Sequence, residues 1–483
     1  MAYRYGDRYQ MTMMPPSIEE YVSADNPVRA YDAFVEALDY LELGIDINPD
    51  KVGNSEYNPR SMLKLLVYGY SYGVKSSRKL ERECHHNLAF IWLMGGLKPD
   101  HKTIAEFRRN NKKALRKVLR QNARMCIRLD LIAGNVLFVD GTKIRANAGI
   151  ERSRDKSYYK KLMSDIDSRI EKLLADCEAT DRTEENAASY VSMDKELTKS
   201  QNLKERIKEV LASFAEDESK YTNQTDPDCR IIKGIQGKHA GYNVQSVVDD
   251  EHGLIVHAEA TADVNDRNQF ASQVNQANEV LEKCCKTACA DAGYAATDEL
   301  AKIDEQGVKV IVPSQRQALH EEEGPFSKTH FTYDKERNCY YCPEGHPLTY
   351  RSIEKKKNHI IYQIRNKKLC QGCKHYGQCT NAKRGRLIAR LHNEDIKLKL
   401  EIQYEEAQSQ AIYARRKTRV EHPFGHIKRN LKTDSFHLRR KDGVQAETSL
   451  LATCFNMARM ITIFGVDNLI EKFRGLNPVT VGC

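Results

Sequence analysis

The sequence predicts an α/β protein: a mixed-sheet core preceded by an all-α domain and interrupted by a helical insertion and a small Cys-rich insertion. Three observations predict this class. Short apolar runs of strand length recur at 134–140, 241–248, 254–260, 285–290 and 308–312, and helical patterns separate the later ones. Residues 1–130 read as mostly helical. Two stretches, 151–223 and 316–400, break the core pattern with their own composition. The expected organisation is an N-terminal helical domain over 1–130, a catalytic core over 131–465 interrupted by those two insertions, and a C-terminal tail over 466–483.

The N-terminal helices have readable starts. Asn58-Pro59-Arg60 is a helix entry, and Met62, Leu63, Leu65, Leu66 and Tyr68 follow at helical spacing. A second helix starts near Ser76-Ser77 and carries Leu80, Cys84 and Leu88. A third takes Asp100 as its N-cap and runs through Ile104, Phe107, Leu115 and Leu119. Between Asp100 and Asp130 stand ten Lys or Arg and three acids, including Arg108 and Arg109. Such a cluster suits a polyanion such as DNA, and it equally suits a plain solvated helix face.

In the core, 134–140 reads as a strand. Leu162, Ile166, Ile170 and Leu173, then Leu203, Ile207 and Val210, read as a helical hairpin inserted after it. The segments 241–248 and 254–260 flank the turn-like Asp249-Asp250-Glu251-His252-Gly253 and read as a β-hairpin. A helix over 267–283, a strand over 285–290, a helix over 297–305 and a strand over 308–312 follow. Long helices are expected over 403–430 and 446–464, with Pro423 starting or kinking a helix near Glu421.

Length and composition narrow the function. The chain has 483 residues, enough for about two to four domains. Its 30% charged fraction and net charge of +9 fit long solvated helices with clustered cations. No run of about 18 apolar residues exists, and the first residues lack an apolar leader segment. Fourteen cysteines without a leader read as reduced thiols in a cytoplasmic protein. No phosphate-binding glycine loop and no Gly-x-Ser-x-Gly elbow occur, so neither a nucleotide cofactor nor a serine hydrolase is indicated.

Three acids carry the chemistry. Asp140 ends Val136-Leu-Phe-Val139, and Asp291 ends Thr287-Ala-Cys-Ala290. Glu421 stands among Arg416, Lys417, Arg419 and Lys428, with Lys417 and Lys428 near its helix face. Carboxylates are the natural ligands of hard divalent cations, and cations around them suit a phosphate substrate. Two such ions can drive phosphoryl transfer. An isolated strand-end Asp more often caps a loop, and a helical Glu among cations is often an ordinary ion-pair set. His422 and His426 are four apart, as in helical zinc sites, but Pro423 and the absent His-Glu-x-x-His order argue against one.

Cys339-Tyr-Tyr-Cys342 and Cys370-Gln-Gly-Cys373 make a paired C-x-x-C arrangement with the spacing of a structural zinc site. Cys379 is a fifth thiol able to replace one ligand. The alternative is a set of reduced, partly buried cysteines.

The motifs together resemble a known group. Val139-Asp140-Gly-Thr-Lys143, Asp291-Ala-Gly-Tyr294 and Tyr413-x2-Arg416-x4-Glu421-x6-Lys428 resemble the three acidic motifs of bacterial insertion-sequence transposases with an RNase H-like DDE core. Tyr57-Asn-Pro-Arg60, Asp100-His-Lys-Thr103 and Phe107-Arg108 resemble that group's helical domain. The gap from Arg416 to Glu421 is one residue longer than the usual pattern, and Lys417 is the alternative for that place. The resemblance implies metal-dependent hydrolysis at an element end, then attack of the freed 3′-hydroxyl on target DNA. It implies Asp140, Asp291 and Glu421 as ligands of two Mg2+ or Mn2+ ions. Lys428 and Arg416 would position phosphate, with Lys143 a further DNA contact and Lys233, Lys238, His239 and Tyr242 facing the same substrate. It also implies a homodimer acting on element ends and target DNA, and nucleoid association when bound. A nuclease that cuts without joining, and a DNA-binding protein with an unused centre, are the competing readings.

Overall fold

The computed structural model describes residues 17–48, 56–181, 187–216, 220–234, 237–320, 324–354 and 359–476. The first helices are α1 (Pro27–Glu36), α2 (Tyr40–Leu43), α3 (Pro59–Ser71), α4 (Ser77–His86), α5 (Leu88–Leu93), α6 (His101–Asn110) and α7 (Lys112–Arg128). Then come β1 (Val136–Arg145), β2 (Ser153–Asp155), α8 (Lys156–Asp181), α9 (Ala187–Glu216), β3 (Tyr221–Asn223), β4 (Arg230–Gly234), β5 (Gly237–Asp249) and β6 (Ile255–Thr261). The chain continues through α10 (Phe270–Leu281), β7 (Thr287–Cys289), α11 (Thr297–Asp304), β8 (Lys309–Ile311) and α12 (Gln315–Ala318). The last elements are β9 (Thr332–Asp334), β10 (Cys339–Tyr341), β11 (Pro347–Glu354), β12 (His359–Ile364), α13 (Lys367–Gln371), β13 (Leu387–Leu391), α14 (Glu394–Glu405), α15 (Ala407–Gly425), α16 (Arg440–Phe464) and α17 (Val466–Leu476). Among the described residues no single helix is long and apolar enough to cross a membrane.

Two compact units make up the chain. One holds Met1–Asp266, Ser272–Cys285 and Lys417–Cys483; the other holds Arg267–Ala271 and Lys286–Arg416. The N-terminal helices are therefore not a unit of their own. Helix α16 is the reason: it is buried from Gly443 through Met457, on all sides, so it needs neighbours all round. Helices α3 and α7 cover it on one side and β6 on another.

In the first unit β5 carries three partners. β1 runs antiparallel along one edge, from Leu137 opposite Asp249 to Arg145 opposite Gly241. Along the other edge lie β4, over Gly237–Gly241, and β6, over Asn243–Val248. The far edge of β6 is closed by side chains of α16. The Asn456 carboxamide accepts from Ile255 N (2.9 Å) and donates to Ile255 O (2.8 Å). Gln445 does the same for Ala260 N (2.7 Å) and Ala258 O (2.8 Å). Two amides three helical turns apart thus satisfy backbone groups that a neighbouring strand would otherwise take.

Several local expectations meet a different outcome. Asp100 does cap α6, accepting from Thr103 N at 2.7 Å. The third helix breaks, however, at Asn111, whose side chain donates to Phe107 O (2.8 Å) in place of continuing helix. Pro423 lies inside α15, and the chain then widens into a π-turn over His426–Asn430. The missing proline N–H removes one helical hydrogen bond, a loss tolerated at the end of a helix. The helical hairpin forms as α8 and α9, closed by Tyr159, Ile166, Ile207 and Phe214. Residues 466–476 of the expected tail form α17, whose Phe473 ring packs 5.8 Å from Phe34; the rest of that tail lies outside the described residues.

In the second unit β7 and β8 pair in parallel, Thr287 opposite Lys309 through Cys289 opposite Ile311. The 316–400 stretch contains an antiparallel sheet of order β13-β12-β11-β10-β9, which its polar sequence does not announce. Its core is six buried residues, Phe331, Tyr340, Leu348, Tyr362, Ile364 and Ile388.

Candidate active site

β1 alternates its side chains across the sheet, so Asp140, Thr142 and Ile144 share one face and Lys143 and Arg145 the other. The end of α15 packs on the Asp140 face. Val420, Phe424 and Ile427 form its buried stripe, and a small cavity lined by Ile144, Val244, Phe424, Ile427 and Leu451 lies beneath it. Glu421, Gly425 and Lys428 lie one residue over from that stripe, on an adjoining face. Glu421 is exposed.

Lys428 closes the distance between the first and third acidic motifs. Its Nζ donates to Thr142 Oγ1 at 2.5 Å, two residues from Asp140 on the same face. Burial pulls this ammonium below the usual lysine range, and the charges of Asp140 and Asp434 oppose that pull. A half-buried cation held by a neutral hydroxyl is attracted more strongly to an entering phosphate than a fully hydrated one.

In the second unit Asp291 follows β7, and its Oδ1 accepts from Gly293 N at 2.8 Å. This caps the short turn Ala292–Tyr294, whose Tyr294 is buried. The Tyr413 ring meets Tyr404 edge-on at 5.2 Å, and the Arg416 guanidinium stands 5.7 Å from the Tyr413 ring centre. Burial raises the Tyr413 hydroxyl, Arg416 opposes, and Asp291 adds a small push in the same upward direction. Asp291, Tyr413 and Arg416 are therefore neighbours.

The other sequence-predicted contacts scatter. Lys417 is exposed on α15. Arg419 turns to the β5–β6 turn, with Nε 3.4 Å from Asp250 Oδ1. Lys143 lies on the face away from Asp140, close to His239 and Arg145. Lys238 is exposed and pairs across the strands with Lys233. Arg109 is exposed beside Glu106 at 3.2 Å.

Two predicted DNA contacts are corrected. Arg108 is 7% exposed, and its guanidinium donates to Lys75 O (2.8 Å) and Tyr70 Oη (3.3 Å). The α6 helix turns it inward, so it braces the fold. Tyr242 is wholly buried and donates to Asp226 Oδ1 at 2.9 Å.

Sequence reasoning missed a buried polar set next to the site. Lys75 Nζ donates to Lys432 O at 3.2 Å and to the Thr433 hydroxyl, just beyond Lys428. Glu447 on α16 accepts from His437 N (2.9 Å) and Leu438 N (3.0 Å). Burial raises the Glu447 carboxyl, against those two N–H groups and the cations Lys75 and Arg108. No spacing rule joins Lys75 to Glu447, because 372 positions separate them. An internal lysine in the tight turn Gly73-Val74-Lys75 was the one available signal.

Among the described residues no group of three or more His, Cys, Asp or Glu side chains is gathered closely enough to hold an ion as placed. The donors themselves fit a hard divalent cation: Asp140 and Glu421 offer carboxylate oxygens, and Lys428 is on hand for the phosphate.

Residues 16–110 match the family described as Transposase domain (DUF772), and residues 224–457 match the Transposase DDE domain. The second match contains Asp291, Glu421 and Lys428, and ends before α16 does. No curated protein matches the chain. Among solved structures, a piggyBac transposase synaptic complex with hairpin DNA is similar at 9% identity, covering 94% of this chain and 79% of that one. Its TM-score of 0.33 carries no argument about the fold. The two domain matches together span most of the chain, with Asp140 lying between them, and the chain belongs to the DDE transposases, metal-dependent enzymes that cut and transfer DNA.

Proposed function

We propose that Asp140, Asp291 and Glu421 hold two Mg2+ or Mn2+ ions, and that Lys428 positions the phosphate being cut. The observation that carries this reading is the Lys428–Thr142 hydrogen bond beside Asp140, which joins motifs 286 positions apart. When bound, the ions supply Lewis acidity at the phosphorus and a nucleophile at neutral pH. The chain's own residues do the rest. Lys428 rests on Thr142 and redirects its Nζ–H hydrogen bond to a phosphate oxygen when DNA enters. Arg416, stacked by Tyr413, offers a second cation beside Asp291. In the first step water adds to phosphorus and the 3′-oxygen leaves as a hydroxyl. In the second step that hydroxyl attacks a target phosphodiester, and one target 3′-oxygen leaves. Bond energy is conserved across the exchange, so no nucleotide is consumed.

The exposed cations Lys417, Arg109, Lys233 and Lys238 are proposed to hold the DNA backbone through sequence-independent charge. Lys143, with Arg145 and His239, would make a separate contact on the opposite sheet face. A homodimer is proposed because two element ends must be brought together, and the protein is proposed to act in the cytoplasm on nucleoid DNA. A structural zinc in the cysteine-rich sheet completes the proposed metal content.

The test is Mg2+-dependent cleavage and joining of DNA carrying the element's flanking ends. Cleaved ends joined to a second DNA are expected for the wild type. Cleavage without joining would favour a nuclease, and tight binding of the ends without cleavage would favour a DNA-binding protein.

A further inference from the structure

The paired C-x-x-C pattern points to Cys339, Cys342, Cys370 and Cys373 as one zinc set. The fold gathers a different four. Tyr340 points into the core of the small sheet, so its strand neighbour Cys339 points to the opposite face of β10. Cys342, two residues beyond Tyr340, returns to the core side and packs there with Cys370 and Cys379. A pocket of about 440 Å³, open mouth included, is lined by Cys342, Cys370, Cys373 and Cys379, and Cys339 is not part of it. We propose that these four thiols bind one structural zinc ion that closes the sheet β9–β13.

The surroundings of two of the sulfurs support thiolate ligands, while burial raises the Cys379 thiol. His346 N donates to Cys342 Sγ at 3.3 Å, and Arg386 N donates to Cys370 Sγ at 3.4 Å. Backbone N–H groups aimed at sulfur favour its charged form and fix its direction, as outer-shell donors do around metal sites. Both donors follow glycines in left-handed conformation, Gly345 (φ 78°) and Gly385 (φ 82°). A side chain at Gly385 would also bring its Cβ within 3.3 Å of Cys370 Sγ. The turns are thus shaped to bring backbone to sulfur. The Arg386 guanidinium donates to Cys379 O at 2.8 Å and fixes the fourth cysteine.

The His375 imidazole has other partners. His375 Nε2 lies 3.2 Å from Glu344 Oε1, and its ring packs 4.8 Å from Phe326. All four cysteines are free thiols, so no disulfide closes the pocket. As placed, the thiols ring the pocket and do not meet at one point, so the proposed ion requires rotation about their Cα–Cβ bonds. A four-sulfur tetrahedral set selects zinc over the hard cations of the carboxylate site. The need for a staple is physical: six buried residues are a small core for five strands.

The test is zinc content of the purified full-length chain by mass spectrometry, with Co2+ exchange to read geometry by absorption. One zinc per chain is expected, and the Co2+ form should show the intense bands of a tetrahedral four-thiolate site. Cys339→Ser should keep both signals. Cys379→Ser should lose more than half the zinc and shift the Co2+ bands. Asp140→Ala should leave the zinc unchanged, which separates this site from the carboxylate one. Wild type without zinc, zinc replaced by iron, zinc lost with Asp140→Ala, or zinc lost in Cys339→Ser but kept in Cys379→Ser would each overturn the proposal.

Discussion

The sheet around β5 and the sheet β9–β13 solve the same problem by different means. The first has apolar strands, and α16 seals its β6 edge with the amides of Gln445 and Asn456. The second has three tyrosines, Tyr333, Tyr340 and Tyr362, in its centre, with ring centres about 5–6 Å apart. Arg390 stacks 3.8 Å from the Tyr333 ring and donates to Tyr340 Oη. One sheet is held by a helix brought from far along the chain, the other by local aromatic groups. Rigidity therefore has two sources: long-range burial for the carboxylate strand β1, and local aromatic packing for the cysteine-rich sheet.

Substitutions break that comparison in order of size. Asp140→Ala should lower cleavage by more than about 100-fold, since even outer-shell changes at metal sites cost about 10–100-fold. Its thermal melt should stay near that of the wild type, because the side chain is not part of the core. Cleavage within a few-fold of wild type would show that β1 carries no ligand. Asn456→Leu should do the reverse. It leaves the N–H and C=O of Ile255 buried without partners, a loss of about 2–4 kcal/mol in denaturant unfolding. An unchanged midpoint would mean the β6 edge is sealed by something else.

Glu447 gives a pH signature. Its folded carboxyl is raised, so the native state holds an extra proton just above the usual Glu range of about 4.3. Stability carried by this group therefore falls as pH rises through that window. Glu447→Gln should flatten this part of the stability–pH curve, and an identical curve would show that Glu447 does not titrate there. Lys428 has the opposite sense. Its folded pKa is lowered, so the unfolded chain holds more protons below the usual Lys value of about 10.4. Stability rises with pH through that window, and Lys428→Met should raise the melting temperature at neutral pH while weakening DNA binding. A lower melting temperature would place the stabilising contact at Thr142 above the cost of burying charge. The smallest effect belongs to Arg109→Ala, within about 0.5 kcal/mol in stability, with a shallower salt dependence of DNA binding.

The parts of the fold set by local rules were legible. Asn58 and Asp100 cap their helices through the residues that the sequence marks. The β5–β6 hairpin and the parallel β7–β8 pair follow from apolar runs and turn residues. The cysteine-rich sheet was not legible, because its strands are short and its core is aromatic and polar in equal part. Arg108 and Arg109 look alike in sequence, and only the packing of α6 decides which one is buried. The C-x-x-C spacing hides a change of face between Cys339 and Cys342, while Cys379 is brought in by the turn after α13. The Lys428–Thr142 link was not legible, since it depends on which face of β1 receives α15.

The most direct test of the central claim is Mn2+ binding to the protein with its end DNA, read by electron paramagnetic resonance. The account predicts two bound ions in the wild type and reduced occupancy in each of Asp140→Ala, Asp291→Ala and Glu421→Ala. Full Mn2+ occupancy in all three variants would contradict it.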